Sequence, residues 1–328
     1  MANFWPRDIQ KSEMGHNMRM RFFRPKVTPV ENITFIAMMT AFNALISLIG
    51  ALLPFSAFFI MILAPLTSAS VALFCKKRYL AIYLFASIGI CIAATAWDFM
   101  TTLFYMIPAL ITGAVYGFLW RLGLPSSANL FLCALISMVF FYLSILLIKG
   151  LLGADMIEVL LTLIRRGQDP VAREIFPLFV FVYSLAQVAI MHAFLSSELE
   201  RLGQTQIPEN KAAMFYPILS SVLLILCIVF AFFTAKAAYF FLGTGIYWAI
   251  ASMMLFWPKL HKFSILFLLL TLFGSVLAFA GIYRYMPPHT GLCLLAIPFF
   301  LSGLLGWLNR WFVKRKDKNV ATGEGREL

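Results

Sequence analysis

Trp97, Asp98, Thr101, Thr102 and Tyr105 lie close together in a chain that is otherwise poor in charge. A carboxylate beside two hydroxyls and two aromatic faces has the chemistry to hold a cation or a hydroxyl-rich molecule. The same carboxylate could instead cap a helix hairpin, with Trp97 as an interfacial anchor. Asn43 is the one strongly polar residue well inside its apolar surroundings, and either a partner helix or a cavity would suit it. His192 and Gln187 share one apolar stretch, where a helix–helix hydrogen bond is the simpler reading than a metal ligand. Arg284 between Tyr283 and Tyr285 fits snorkelling beside aromatic anchors.

Other chemistry is missing from the sequence. No HExxH, GxSxG or GxxxxGK[ST] pattern occurs, and no Asp, Glu, Lys or Arg stands at the centre of an apolar block. Cys75, Cys91, Cys133, Cys227 and Cys293 stand singly, with no spacing for zinc or a disulfide framework. The expectation is therefore a non-enzyme with no cofactor and no metal site.

The elements that would position these residues follow from composition. Hydrophobic residues make up 62% of the 328 and charged residues only 12%, about half the usual share of a soluble domain, roughly 25%. Lipid is the solvent that accommodates such a chain. The apolar residues fall in blocks near 33–53, 57–75, 79–97, 99–120, 127–148, 175–195, 214–235, 237–257, 263–283 and 289–311. Each is about the ~20 residues that cross a hydrocarbon core as a helix. Stop signals separate them: Pro54, the run Cys75-Lys76-Lys77-Arg78, Asp98, Arg121 to Pro125, Lys149-Gly150, Pro208, Lys236, Trp257-Pro258-Lys259 and Pro287-Pro288. The expected fold is all-α, a polytopic membrane bundle of ten spans.

Net charge is +12, and headgroups rather than nucleic acid explain it, because the cations sit between the blocks. With ten spans and the N-terminus inside, twenty of the 26 basic residues fall on the inner side. That bias predicts both termini in the cytoplasm. The first block follows a polar, basic stretch and is expected to stay as a span, not to be cleaved. The expected organisation is a basic cytoplasmic tail (1–32), a six-helix membrane domain (33–210), a four-helix extension (211–311) and a second basic cytoplasmic tail (312–328). Within 150–174, on the outer side, Asp155 to Arg166 has the spacing of a short amphipathic helix, suited to the headgroup plane or to a cavity mouth.

Small residues at i and i+4 mark close helix contacts: Ala37 with Ala41, and Gly113 with Gly117. The run Asn32-Ile-Thr-Phe-Ile-Ala37-Met-Met-Thr-Ala41 resembles the first helix of the substrate-binding S components of energy-coupling factor (ECF) transporters. Leu53-Pro54-Phe, Ile62-Leu-Ala-Pro65-Leu, Leu103 to Gly117 and Phe176 to Gly203 with Ile207-Pro208 resemble the YybS-like predicted membrane proteins of bacteria. The likeness covers 33–210. It implies an S-component-like fold in which Ala37 and Ala41 meet a coupling subunit that works with ATPases. Residues 54–57 are shorter than the usual S-component capping loop, so the likeness bears on fold before ligand. The expected function is transport-related binding or uptake of a small molecule at a bacterial inner membrane, without an energy source of its own. Trp97, Asp98, Thr101, Thr102, Tyr105 and Asn43 are the candidate ligand residues, and Ala37, Ala41, Gly113 and Gly117 the candidate helix-docking residues. A scaffold that recruits other membrane proteins is the alternative, with membrane lipid as the partner in either case.

Overall fold

The computed structural model describes residues 24–53, 57–163, 170–201, 215–256, 274 and 296–300. Among these there is no strand. Most of the expected ninth and tenth spans, Arg284, most of the N-terminal tail and all of the C-terminal tail fall outside the described residues.

Helix α1 spans Pro29–Leu52 and starts four residues before the expected block, at a cap. Thr28 caps it: its side chain accepts from the Glu31 N–H, and the Glu31 carboxylate accepts from the N–H groups of Thr28 and Val27. Pro29, which has no N–H to lose, takes the first turn. Helix α2 (Ala57–Phe74) contains Pro65, and α3 (Lys77–Ala94) begins inside the basic run.

The next connection is compressed. A 3₁₀ turn over Ala96–Asp98 and a short turn over Phe99–Thr101 lead into a π-helical segment, Thr102–Met106, and then into α4 (Ile107–Arg121). The Ile107 N–H reaches back five residues to the Thr102 carbonyl. Pro108 follows at once and has no N–H for the Phe104 carbonyl, which accounts for the break in ordinary α pairing there.

Helix α5 (Ser126–Leu152) ends at Gly153, whose φ of 70° is the left-handed conformation that suits glycine at a helix end. Asp155 then opens α6 (Met156–Leu163), accepting from the N–H groups of Ile157 and Glu158. Slight burial opposes the Asp155 carboxylate, but these bonds and the Lys149 ammonium outweigh it and hold its pKa below the ordinary value. The expected amphipathic helix is present up to Leu163; Arg165 and Arg166 fall outside the described residues. Helices α7 (Pro170–Arg201), α8 (Phe215–Ala231) and α9 (Ala235–Phe256) follow, and residues 296–300 are helical.

Five segments are long and apolar enough to cross a membrane: α1, α3, the continuous stretch Thr102–Arg121, α5 and α7. Most of α2 and all of α8 form shorter apolar helices. Apolar side chains fill the interior, as in a soluble protein, but they also cover helix exteriors. Asn43, Ser47, Ser87, Thr95 and Thr102 are buried, while Phe85, Leu146, Val139 and Phe179 stand exposed on helix exteriors. Water would penalise that arrangement and hydrocarbon favours it. The chain is a helical membrane protein.

Two compact units divide the chain, Met1–Leu163 with Tyr183–Ile207 and Ile164–Val182 with Pro208–Leu328. In the first, α2 lies along α4, and α1 packs on α3 and α2. In the second, α8 packs on α9. The Ser220 hydroxyl donates to the Gly245 carbonyl at 2.9 Å, and the rings of Tyr216 and Trp248 meet at 4.7 Å.

Candidate functional site

The residues around Asp98 do not form one constellation. Trp97 is 63% exposed in the 3₁₀ turn, away from the bundle interior. Asp98 is half-buried, and its carboxylate accepts a 2.6 Å hydrogen bond from the Thr101 hydroxyl. Tyr105 is half-buried with its ring edge-on to Phe104. Thr102 turns the other way. Its hydroxyl is fully buried at 3.1 Å from Ser47 and 2.7 Å from Thr95, tying the π segment to α1 and to the end of α3.

Asn43 also faces inward. Its amide N–H donates to the Tyr83 hydroxyl (2.7 Å), and its carbonyl accepts from the Thr67 hydroxyl (2.7 Å). Tyr83 and Thr67 are themselves 3.0 Å apart. If the tyrosine donates there, the three side chains close a ring in which every member both gives and receives. The second amide hydrogen reaches Ser87 at 3.4 Å, and Ser87 meets Thr40 at 3.0 Å. Three helices are thus joined through polar atoms sealed from lipid. Of the two surroundings open to Asn43 on sequence, partner helices are the one found.

Gly113 and Gly117 lie where α4 crosses α2. A Cβ on Gly113 would run into the Pro65 carbonyl, and one on Gly117 would lie 2.6 Å from the Ala72 Cβ. Pro65 leaves a second mark. It has no N–H to offer the Met61 carbonyl one turn earlier, and the Gln187 amide of α7 donates to that carbonyl instead, at 2.8 Å. Tyr183 contacts the Met61 sulfur. His192 pairs through Nδ1 with the buried Tyr116 hydroxyl at 2.7 Å and lies near the Trp120 ring, a helix–helix contact.

Ala37 and Ala41 lie on the outward side of α1. With Ala44 they line, together with Ala86 and Ala94 of α3 and with Tyr79, an open groove of about 880 Å³. Bulkier side chains, among them Ile33, Leu45 and Ile90, stand along its margins. The groove offers almost no polar group: Thr40 also lines it, but its hydroxyl is engaged by Ser87. Alanines bring its floor close to the helix backbones, so it suits an apolar rod or chain rather than a hydrated solute. Among the described residues no group of His, Cys, Asp and Glu could hold a metal ion.

Sequence reasoning singled out Asn43, the alanines and the glycines. It missed Thr67, Tyr83, Ser87, Ser47 and Thr95, because hydroxyl residues are ordinary in membrane helices and only the register between helices makes them partners. No protein-family model matches the chain, and no curated protein or solved structure does either.

Proposed function

We propose that this chain is a docking and binding subunit of a membrane transport system, dependent on a partner for energy. The observation that carries the reading is the alanine-lined groove between α1 and α3. Its occupant in this reading is a transmembrane helix of a coupling subunit. Small residues allow close backbone approach, which drives helix association in lipid, where burial from water adds nothing. The likeness of Asn32 to Ala41 to the first helix of ECF S components supports the same assignment. Ten spans, an inner-membrane location and both termini in the cytoplasm belong to this proposal, supported by the placement of the basic residues. Asp98 with Thr101, at the opposite end of α3 from the basic run, is the position for a small ligand.

The test is copurification in mild detergent after mild crosslinking in the bacterial membrane. Wild type should bring down a coupling subunit with its ATPases, and Ala37→Leu with Ala41→Leu, which fills the groove, should lose at least nine-tenths of that recovery. Ligand binding is read separately, as thermal stabilisation by members of a vitamin, metal and lipid-precursor panel that Asp98→Ala abolishes. Undiminished recovery by the leucine variant would defeat the docking assignment. Recovery lost instead on trimming 1–25 or 313–328 would favour a scaffold held through its tails.

A further inference from the structure

A collar of cations surrounds the end of α2, and its construction is specific. Arg121 donates to the carbonyls of Leu73 and Cys75, both at 2.6 Å, and the Lys26 N–H donates to the Phe74 carbonyl at 2.8 Å. Asn32 accepts from the Lys76 N–H at 3.0 Å and donates to the Lys26 carbonyl at 3.1 Å. The segment before α1, the turn between α2 and α3, and the end of α4 are thereby fastened to one another.

Three of the cations are also held against aromatic faces. The Lys26 ammonium sits 4.8 Å from the Phe35 ring centre, Lys77 5.2 Å from Phe118, and the Arg78 guanidinium 4.8 Å from Tyr79. Arg78 also donates to the Tyr79 hydroxyl at 3.0 Å. These contacts restrain long side chains that would otherwise sweep through solvent. Among the described residues the collar has a single carboxylate, Glu31, and it is occupied by Arg24 at 2.7 Å and by the cap of α1. Burial, and after it the neighbouring Arg24, lowers the Lys26 pKa from its ordinary value, as expected of crowded cations.

We infer that this collar binds the phosphate headgroup of an anionic phospholipid, with Lys76, Lys77 and Arg78 as its exposed contacts. Charge complementarity carries the assignment, because several restrained cations face one carboxylate already engaged. What lies next to them selects a lipid over a soluble anion. Phe85 and Leu122 are exposed within two turns of the cations and outside the groove, so a bound phosphodiester can lay its acyl chains on the helices it touches. A guanidinium fork and an ammonium together can clamp one phosphate, and the part of Arg78 not turned to Tyr79 is available for it.

Native mass spectrometry of the full chain in detergent tests this with phosphatidylglycerol and phosphatidylcholine of identical acyl chains. Wild type should retain phosphatidylglycerol preferentially. Each neutralised cation should lower that preference about fivefold, so Lys77→Gln with Arg78→Gln should lower it about 25-fold. Lys149→Gln, which removes a cation paired with Asp155 away from the collar, should leave it unchanged. Should the double variant fail to fold, Lys76→Gln with Lys77→Gln makes the same measurement and leaves the Arg78–Tyr79 hydrogen bond intact. Equal retention of both lipids by wild type, an undiminished preference in the variants, or displacement of the lipid by millimolar inorganic phosphate would overturn the inference. None of these variants touches Ala37 or Ala41, so the result stands apart from the groove reading.

Discussion

At the scale of single residues, the ring of Asn43, Tyr83 and Thr67 shows what polar side chains do inside this protein. Hydrogen bonds between membrane helices average only about 0.6 kcal/mol, since the separated helices also find partners. A closed ring differs, because removing Asn43 breaks two of its bonds at once and leaves only the contacts of Thr67 with Tyr83 and with the Ala64 carbonyl, at about 1–3 kcal/mol. Asn43→Leu is therefore expected to lower stability by that larger amount, and Thr40→Val, at the end of the chain of bonds, by about 0.6 kcal/mol. Reversible unfolding in mixed micelles measures both; equal losses would show that the ring has no special standing. Asn43 was conspicuous in the sequence because a carboxamide is rare among so many apolar neighbours. Its partners were hidden, lying 24 and 40 positions away on helices whose rotation no local pattern reveals.

At the scale of elements, the helix stops were legible because they are chemical. Pro125 and the basic run Lys76-Lys77-Arg78 stand at observed boundaries, whereas α5 runs through the expected stop at Lys149-Gly150 and ends at Gly153. The π segment was not legible, since its cause, Pro108, is compatible with several ways of disposing of one unpaired carbonyl. Pro65 poses the same problem and shows a different answer: the Gln187 amide comes from another helix to serve Met61. That substitution of partners is measurable. Gln187→Leu should cost about 1–3 kcal/mol by orphaning the carbonyl. In a Pro65→Ala background, where the substitution restores the missing N–H, the same change should cost less than half as much. A double-mutant cycle by thermal unfolding in detergent decides it, and an unaltered cost would mean that Pro65 and Gln187 are independent.

At the scale of the whole molecule, the arrangement in the first unit carries topological information. Residues 26, 74, 76 and 121 meet at one end of the helices, while Ser47, Thr95 and Thr102 meet toward the other. With α5 crossing once more, Lys77 and Lys149 should lie on opposite sides of the membrane. In intact cells carrying Cys293→Ser, a membrane-impermeant maleimide is expected to label Lys149→Cys and to spare Lys77→Cys. The four other cysteines are buried. Labelling of both or of neither would refute this path, and labelling of Lys77→Cys alone would reverse the orientation. Hydropathy exposed the membrane class at once, because every long apolar run must be solvated. It could not expose the groove, which exists only where alanines on two helices separated in sequence turn outward along one line.

The lacing of α1 also bears on how the protein is made. Asn32, Asn43 and Ser47 find their partners at Lys76, Tyr83 and Thr102, all synthesised later. When α1 leaves the ribosome, Asn43 and Ser47 lack these partners, and a lone helix carrying them partitions less well into hydrocarbon than it does once they are paired. The nascent chain therefore has reason to linger at the insertion machinery until α3 arrives. The order of synthesis, as much as the finished contacts, sets when the first helix can be released into lipid.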